Sequence, residues 1–146
     1  MAFDHSPRLI RSAATFTSPA SFATYHFTLE IPDDAGEPLK AVTIEQRENF
    51  LEVVKFKENK SGAFLGDSCA GGTELMLDAV GGSAEPGSVT VVFEEPVAPG
   101  KTVTITVKPK RNPSHSGVYL FGITAYPDGE DSLGSYLGSG RISIYD

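Results

Sequence analysis

The sequence predicts an all-β domain of immunoglobulin-like class: two antiparallel sheets packed as a sandwich, with roughly seven to nine strands joined by Greek-key connections. Three observations carry this expectation. Apolar residues recur at every second position through most of the chain, the signature of strands with one buried face. Fifteen glycines and ten prolines are spread along the 146 residues, which marks frequent turns rather than a low-complexity tail. Helical spacing is scarce, and β-branched residues and prolines recur too often for long helices. A closed β-barrel is the alternative arrangement.

The first clear strand spans 24–31, where Tyr25, Phe27, Leu29 and Ile31 alternate with Thr24, His26, Thr28 and Glu30. It stops at Pro32–Pro38, whose two prolines offer no amide to a ladder. Residues 41–46 set Val42 and Ile44 against Thr43 and Glu45, and a further strand is expected over 53–57. Between them, 46–54 has a weak helical spacing through Phe50, Val53 and Val54. Residues 63–66 and 74–77 read as short strands. The run 88–93 alternates Val89, Val91 and Phe93 against Thr90 and Val92. After the turn Pro96–Gly100, in which Gly100 takes the position that needs positive φ, the run 102–108 sends Val103, Ile105 and Val107 inward and threonines outward. Residues 117–126 are apolar on both faces and read as a central strand, with Gly122 permitting a bulge or a close approach. A final strand is expected over 141–145, after a tight bend at Gly138 and Gly140.

No linker, repeat or composition shift divides the chain, so residues 1–146 read as one domain. The formal net charge of −7 and sequence pI near 4.9 oppose binding to nucleic acid, which demands a basic surface to release counterions. They equally oppose a polybasic membrane contact. No apolar run approaches the roughly 18 residues of a spanning helix, so no membrane insertion is expected. Cys69, the one cysteine, excludes an internal disulfide.

The segments Val97–Ile105, Lys108–Pro113, Gly117–Pro127 and Tyr136–Ile142 form a pattern of PG-T-VT, K-P-RNP, GVYLFG-TA-P and YLG-GR. Phe27–Leu29, Asp34–Leu39 and Val42–Gln46 extend it toward the N-terminus. In these motifs, over almost its whole length, the chain resembles a cyanobacterial family of secreted domains of unknown function. The resemblance implies an extracytoplasmic location: the periplasm, the cell envelope or the thylakoid lumen. No signal peptide is visible at Met1–Pro7, and the leader is expected to have been removed. The resemblance implies no activity.

Residues able to carry chemistry are few. His5, His26, His115, Cys69, Met1 and Met76 offer metal donors, but none has the spacing of a zinc or copper site. The acidic turns Asp128–Asp131 and Asp33, Asp34 and Glu37 supply oxygens for weak divalent-cation binding without forming a calcium loop. No nucleophile elbow or triad spacing is present, and Glu94 and Glu95, adjacent on a strand, are expected to point to opposite faces. Arg111 and Arg141 are expected to pair with carboxylates such as Glu45 or with backbone carbonyls. The expected function is therefore non-enzymatic, without a cofactor. It is binding or scaffolding of a protein partner through strand edges and the end loops Asn112–Gly117 and Asp128–Leu137, with Arg111, Asn112, His115, Tyr126, Asp128, Glu130, Asp131 and Tyr136 as contact residues. A small-ion site, calcium at the acidic turns or copper at the histidines, is the alternative.

Overall fold

The computed structural model describes residues 3–15, 18, 23–48, 54–56, 61–66, 73–81, 87–110, 112–129 and 133–144. These residues form β1 (Arg8–Ala14), β2 (Tyr25–Glu30), β3 (Leu39–Glu48), β4 (Gly62–Leu65), β5 (Leu77–Gly81), β6 (Ser88–Val97), β7 (Thr102–Val107), β8 (Gly117–Pro127) and β9 (Ser135–Ile144). Two antiparallel sheets result, a four-stranded one in the order β1-β2-β7-β4 and a five-stranded one in the order β5-β6-β3-β8-β9. No ladder joins the sheets among the described residues, so the fold is a sandwich and not a closed barrel. Neighbours along the chain repeatedly change sheet, with β7 returning between β2 and β4 and β3 lying between β6 and β8, as Greek-key connections require.

Register turns the alternation into a core. Tyr25, Phe27 and Leu29 of β2 lie opposite Val107, Ile105 and Val103 of β7, and all six are fully buried. Across the gap, Ile44 stands between Val89 of β6 and Ile123 of β8, and Val42 between Val91 and Ala125. At one end the rings of Tyr25, Phe27 and Phe56 converge on Phe121, with centroids 5.7, 6.1 and 5.9 Å from it. Tilted and edge-on aromatic pairs of this kind add about 0.5–1.5 kcal/mol each beyond their buried area. Gly140 belongs to this packing. A Cβ there would lie 2.9 Å from Phe27 Cε1 and 3.0 Å from Ser12 Cβ, so only glycine lets β9 close onto β2.

Several expected boundaries shift. β1 carries no alternation, because its register with β2 slips between Leu9 and Arg11. Residues Gln46–Glu48 continue β3 rather than starting a helical turn; residues 49–53, where the rest of that turn was expected, lie outside the described residues. Of the strand expected over 53–57, Val54 and Phe56 are buried, and among the described residues 54–56 only Phe56 makes a bridge, to Pro109. Glu74 is likewise an isolated bridge, to Phe64. Pro96 stands inside β6, near its end, where a missing amide costs no ladder bond. The last strand begins at Ser135, not 141, because the bend at Gly138 (φ +110) is absorbed as a slip in the β8–β9 register between Ile123 and Thr124. Gly100 has the positive φ expected of it, +87°, and its amide donates to the carbonyl of Ile31 at 2.8 Å.

Candidate functional site

A sandwich offers a partner its two outer faces, its sheet edges and its end loops. The outer face of the four-stranded sheet carries the polar positions of β2 and β7, yet Thr28 and Thr104 are each only 1% exposed. Their hydroxyls meet at 3.0 Å, and Thr104 Oγ1 donates to the carbonyl of Gly66 at 2.8 Å, so Gly66, just past the end of β4, closes over the pair. Toward β1, Arg8 pairs with Glu30 at 3.0 Å. His26 is half-buried beside Arg11; burial, and then the Arg11 charge, hold its imidazole below the ordinary histidine value. This face is largely spent on itself.

Among the described residues, the outer face of the five-stranded sheet is left open. Gly122 at the middle of β8 lies between Glu45 of β3 and Ser139 of β9. A Cβ at Gly122 would stand 2.7 Å from Arg47 Nε and 3.0 Å from Tyr136 Cε1. Its missing side chain is the space in which those two meet, the close approach that the sequence allowed for. The Arg47 guanidinium sits 4.9 Å from the centroid of the Tyr136 ring, within the range of a cation–π contact. Tyr136 also exchanges a hydrogen bond with Ser139 Oγ at 2.9 Å, and Arg47 Nη1 donates to Glu45 Oε1 at 3.3 Å. The ring is nevertheless 51% exposed. The result is a preset platform of one aromatic ring, one cation and one carboxylate, flanked by the Thr43–Thr90 hydroxyl pair at 3.0 Å.

Of the expected contact residues that are among the described ones, Tyr136 alone stands on this platform. Tyr126 is half-buried, its ring packed with Thr124 around Gly134. Asp128 lies at the opposite end of β8 from His115, and its amide donates to the Pro38 carbonyl at 3.0 Å, which sets Asp128 beside the end of the Pro32–Pro38 turn. His115 is exposed, and its carbonyl accepts from the Tyr119 hydroxyl at 2.8 Å. Asn112 corrects the expectation. It is fully buried, accepts from the Tyr25 hydroxyl at 2.8 Å and donates to the Ser18 carbonyl at 3.0 Å. A buried phenol demands a partner, and Asn112 supplies it, so this loop residue is a core plug. Burial, reinforced by Tyr119, raises the Tyr25 hydroxyl pKa well above its ordinary value. Arg111, Glu130 and Asp131, like Met1 and Cys69, lie outside the described residues.

The remaining ligand candidates disperse. His5 pairs with Asp34 at 3.5 Å on an exposed rim, while His26, His115 and Met76 sit on separate elements. Among the described residues no three His, Cys, Asp or Glu side chains converge as metal ligands do. Glu45 pairs with Arg47 rather than with Arg141, whose backbone amide and carbonyl both bond Ser12 Oγ. No helix among the described residues is long and apolar enough to cross a membrane.

The architecture defines an immunoglobulin-like domain, and the comparisons agree. The N-terminal domain of the Streptococcus gordonii adhesin Sgo0707 superposes with a TM-score of 0.59 at 17% identity, over 98% of this chain and 33% of that one. ACE19, the collagen-binding subdomain of the Enterococcus faecalis surface protein ACE, does so with a TM-score of 0.57 at 4% identity, over 96% of this chain and 99% of that one. A Nocardia farcinica protein described as having an immunoglobulin-like fold gives 0.55 at 12% identity, over 93% and 97% of the two chains. At such identities the likeness is one of fold. No curated protein matches the sequence. A family model does, over residues 1–144: the chain belongs to the DUF2808 family of proteins of unknown function.

Proposed function

We propose that this protein is a non-enzymatic, extracytoplasmic binding or scaffolding domain of the secreted cyanobacterial kind its sequence resembles. It holds a protein partner on the outer face of its five-stranded sheet. The observation that carries the reading is the Arg47–Tyr136 pair seated over Gly122. Tyrosine and arginine are the residues that dominate binding energy at protein interfaces, and here both are exposed yet held by neighbours, which lowers the entropy lost on docking. Fold likeness to domains of bacterial surface proteins, one of them collagen-binding, supports a binding role outside the cytoplasm. The expected contacts at Tyr126, Asp128 and His115 then form the periphery of that interface, and Asn112 leaves it.

The test is capture from an envelope fraction on the immobilised full chain, repeated with Arg47→Ala, Tyr136→Ala and a control just past β7 of the other sheet, the exposed Lys108→Ala. A partner held by the parent chain and by the control, but weakened roughly 30-fold by loss of the ring, is the expected result. Equal capture by all four proteins, or capture by none, would refute the reading.

A further inference from the structure

A sandwich has four sheet edges, and an edge left open is a template for another strand. Three of them meet other parts of the chain here. β1 and β9 lie side by side, and Ser12 Oγ accepts from the Arg141 amide at 3.0 Å and donates to its carbonyl at 3.2 Å. β4 is covered by residues 73–75: Leu65 donates to the Thr73 carbonyl at 2.9 Å, and Leu75 donates to that of Ala63 at 2.8 Å. The chain then crosses to the other sheet and becomes β5, which is terminal there and, among the described residues, pairs on one side only, with β6.

The approach to that edge is shaped and charged. A cleft of about 340 Å³ is lined by Thr73, Glu74, Leu75, Met76, Glu94 and Glu95. Met76 is 67% exposed at the point where the chain enters β5, and its carbonyl accepts the Glu94 amide at 3.0 Å. Glu94 and Glu95 were expected on opposite faces, yet both are exposed and both line this cleft. The reason is a slip in the pairing of β3 with β6: Leu39 faces Val97 while Ala41 faces Val92, so the intervening residues leave the regular pleat. Lys40 Nζ caps the freed carbonyl of Phe93 at 2.7 Å.

We infer that the open edge of β5 receives an extended, basic segment of a partner protein by strand addition, its cationic side chains meeting Glu74, Glu94 and Glu95 and an apolar one meeting Met76 and Leu75. Main-chain hydrogen bonds supply the attachment and alternate side chains the selectivity, as in other strand-addition complexes. Charge decides the occupant. A second copy of this chain would bring three further glutamates to the same cleft, so self-pairing is opposed, whereas lysines or arginines are attracted. The inference is independent of the Arg47–Tyr136 platform.

The probe is an octapeptide of alternating lysine and valine with blocked termini. Its controls are a glutamate–valine peptide and a lysine–proline peptide that keeps the charge but cannot form a ladder. The full chain is to be titrated by fluorescence anisotropy and followed by backbone hydrogen exchange. Saturable binding of the lysine–valine peptide alone, slowed exchange within Leu77–Gly81, and an affinity loss of about ten-fold in the Glu94→Lys/Glu95→Lys variant are the expected results. Tyr136→Ala is expected to leave this binding unchanged, and a thermal melt of each variant confirms that it is folded. Equal binding of the lysine–proline peptide, protection elsewhere than β5, no saturable binding, or self-association through β5 would each overturn the inference.

Discussion

The outer faces of the two sheets start from the same pattern, threonines and charged residues alternating with a buried row, and finish differently. On the four-stranded sheet the hydroxyls of Thr28 and Thr104 are buried against each other and against the Gly66 carbonyl. On the five-stranded sheet the corresponding row carries a glycine, and the space above it is filled by Arg47 and Tyr136, which stay open to solvent. The first face is spent on internal contacts, and the second keeps its ring and cation in solvent. Polar positions on a strand therefore divide by what covers them, not by residue type.

Threonine substitutions test that division with the largest effect. Thr104→Val removes a hydroxyl that joins two partners in a buried place, and is expected to cost about 2 kcal/mol in urea denaturation. Thr43→Val, on the open face with a single half-buried partner, is expected to cost less than about 0.5 kcal/mol. Equal losses would erase the distinction. Next comes Gly122→Val, whose Cβ would stand 2.7 Å from Arg47 Nε. Because the crowded atoms belong to the side chains of Arg47 and Tyr136 and not to backbone, the two can swing aside; stability is expected to fall by about 1 kcal/mol while partner affinity drops about ten-fold. A smaller change is expected from Arg47→Lys, which keeps the charge but loses the planar stack; binding should weaken by a few-fold, roughly 0.5 kcal/mol.

The smallest effect belongs to His26 on the closed face. Its folded pKa lies below the unfolded value, so the unfolded chain binds the proton more readily. Its contribution to stability is then complete above about pH 6.5 and declines as the pH falls below that. The difference in melting temperature between pH 7 and pH 5 is expected to shrink in His26→Gln; an unchanged or larger difference would show that the face does not strain the protonated ring.

Much of the fold was legible because burial and period coincide. The β2 and β7 runs alternate without interruption, and each inward residue found an inward partner in the opposite strand. β1 was not legible, since the slip after Leu9 breaks its period and Ser12 turns to β9 instead of to a core row. The platform was half legible. Gly122 stood out as a place of close approach and Tyr136 as a contact residue, but Arg47 fell in a stretch that resembled a helical turn. Its neighbour in space is 89 positions away, and no local pattern encodes that meeting. Asn112 misled for the same reason, as its partner Tyr25 is distant in sequence. Glu94 and Glu95 share a cleft only because of a register slip against β3, which alternation alone does not reveal.

The most direct test of the account is a two-dimensional NMR titration of the full chain with the captured partner. Amide shifts are expected at Glu45, Arg47, Gly122, Tyr136 and Ser139, with Thr28, Thr104 and Thr106 unmoved. Shifts gathered on the threonine row of β2 and β7, with the Arg47–Tyr136 region silent, would contradict it.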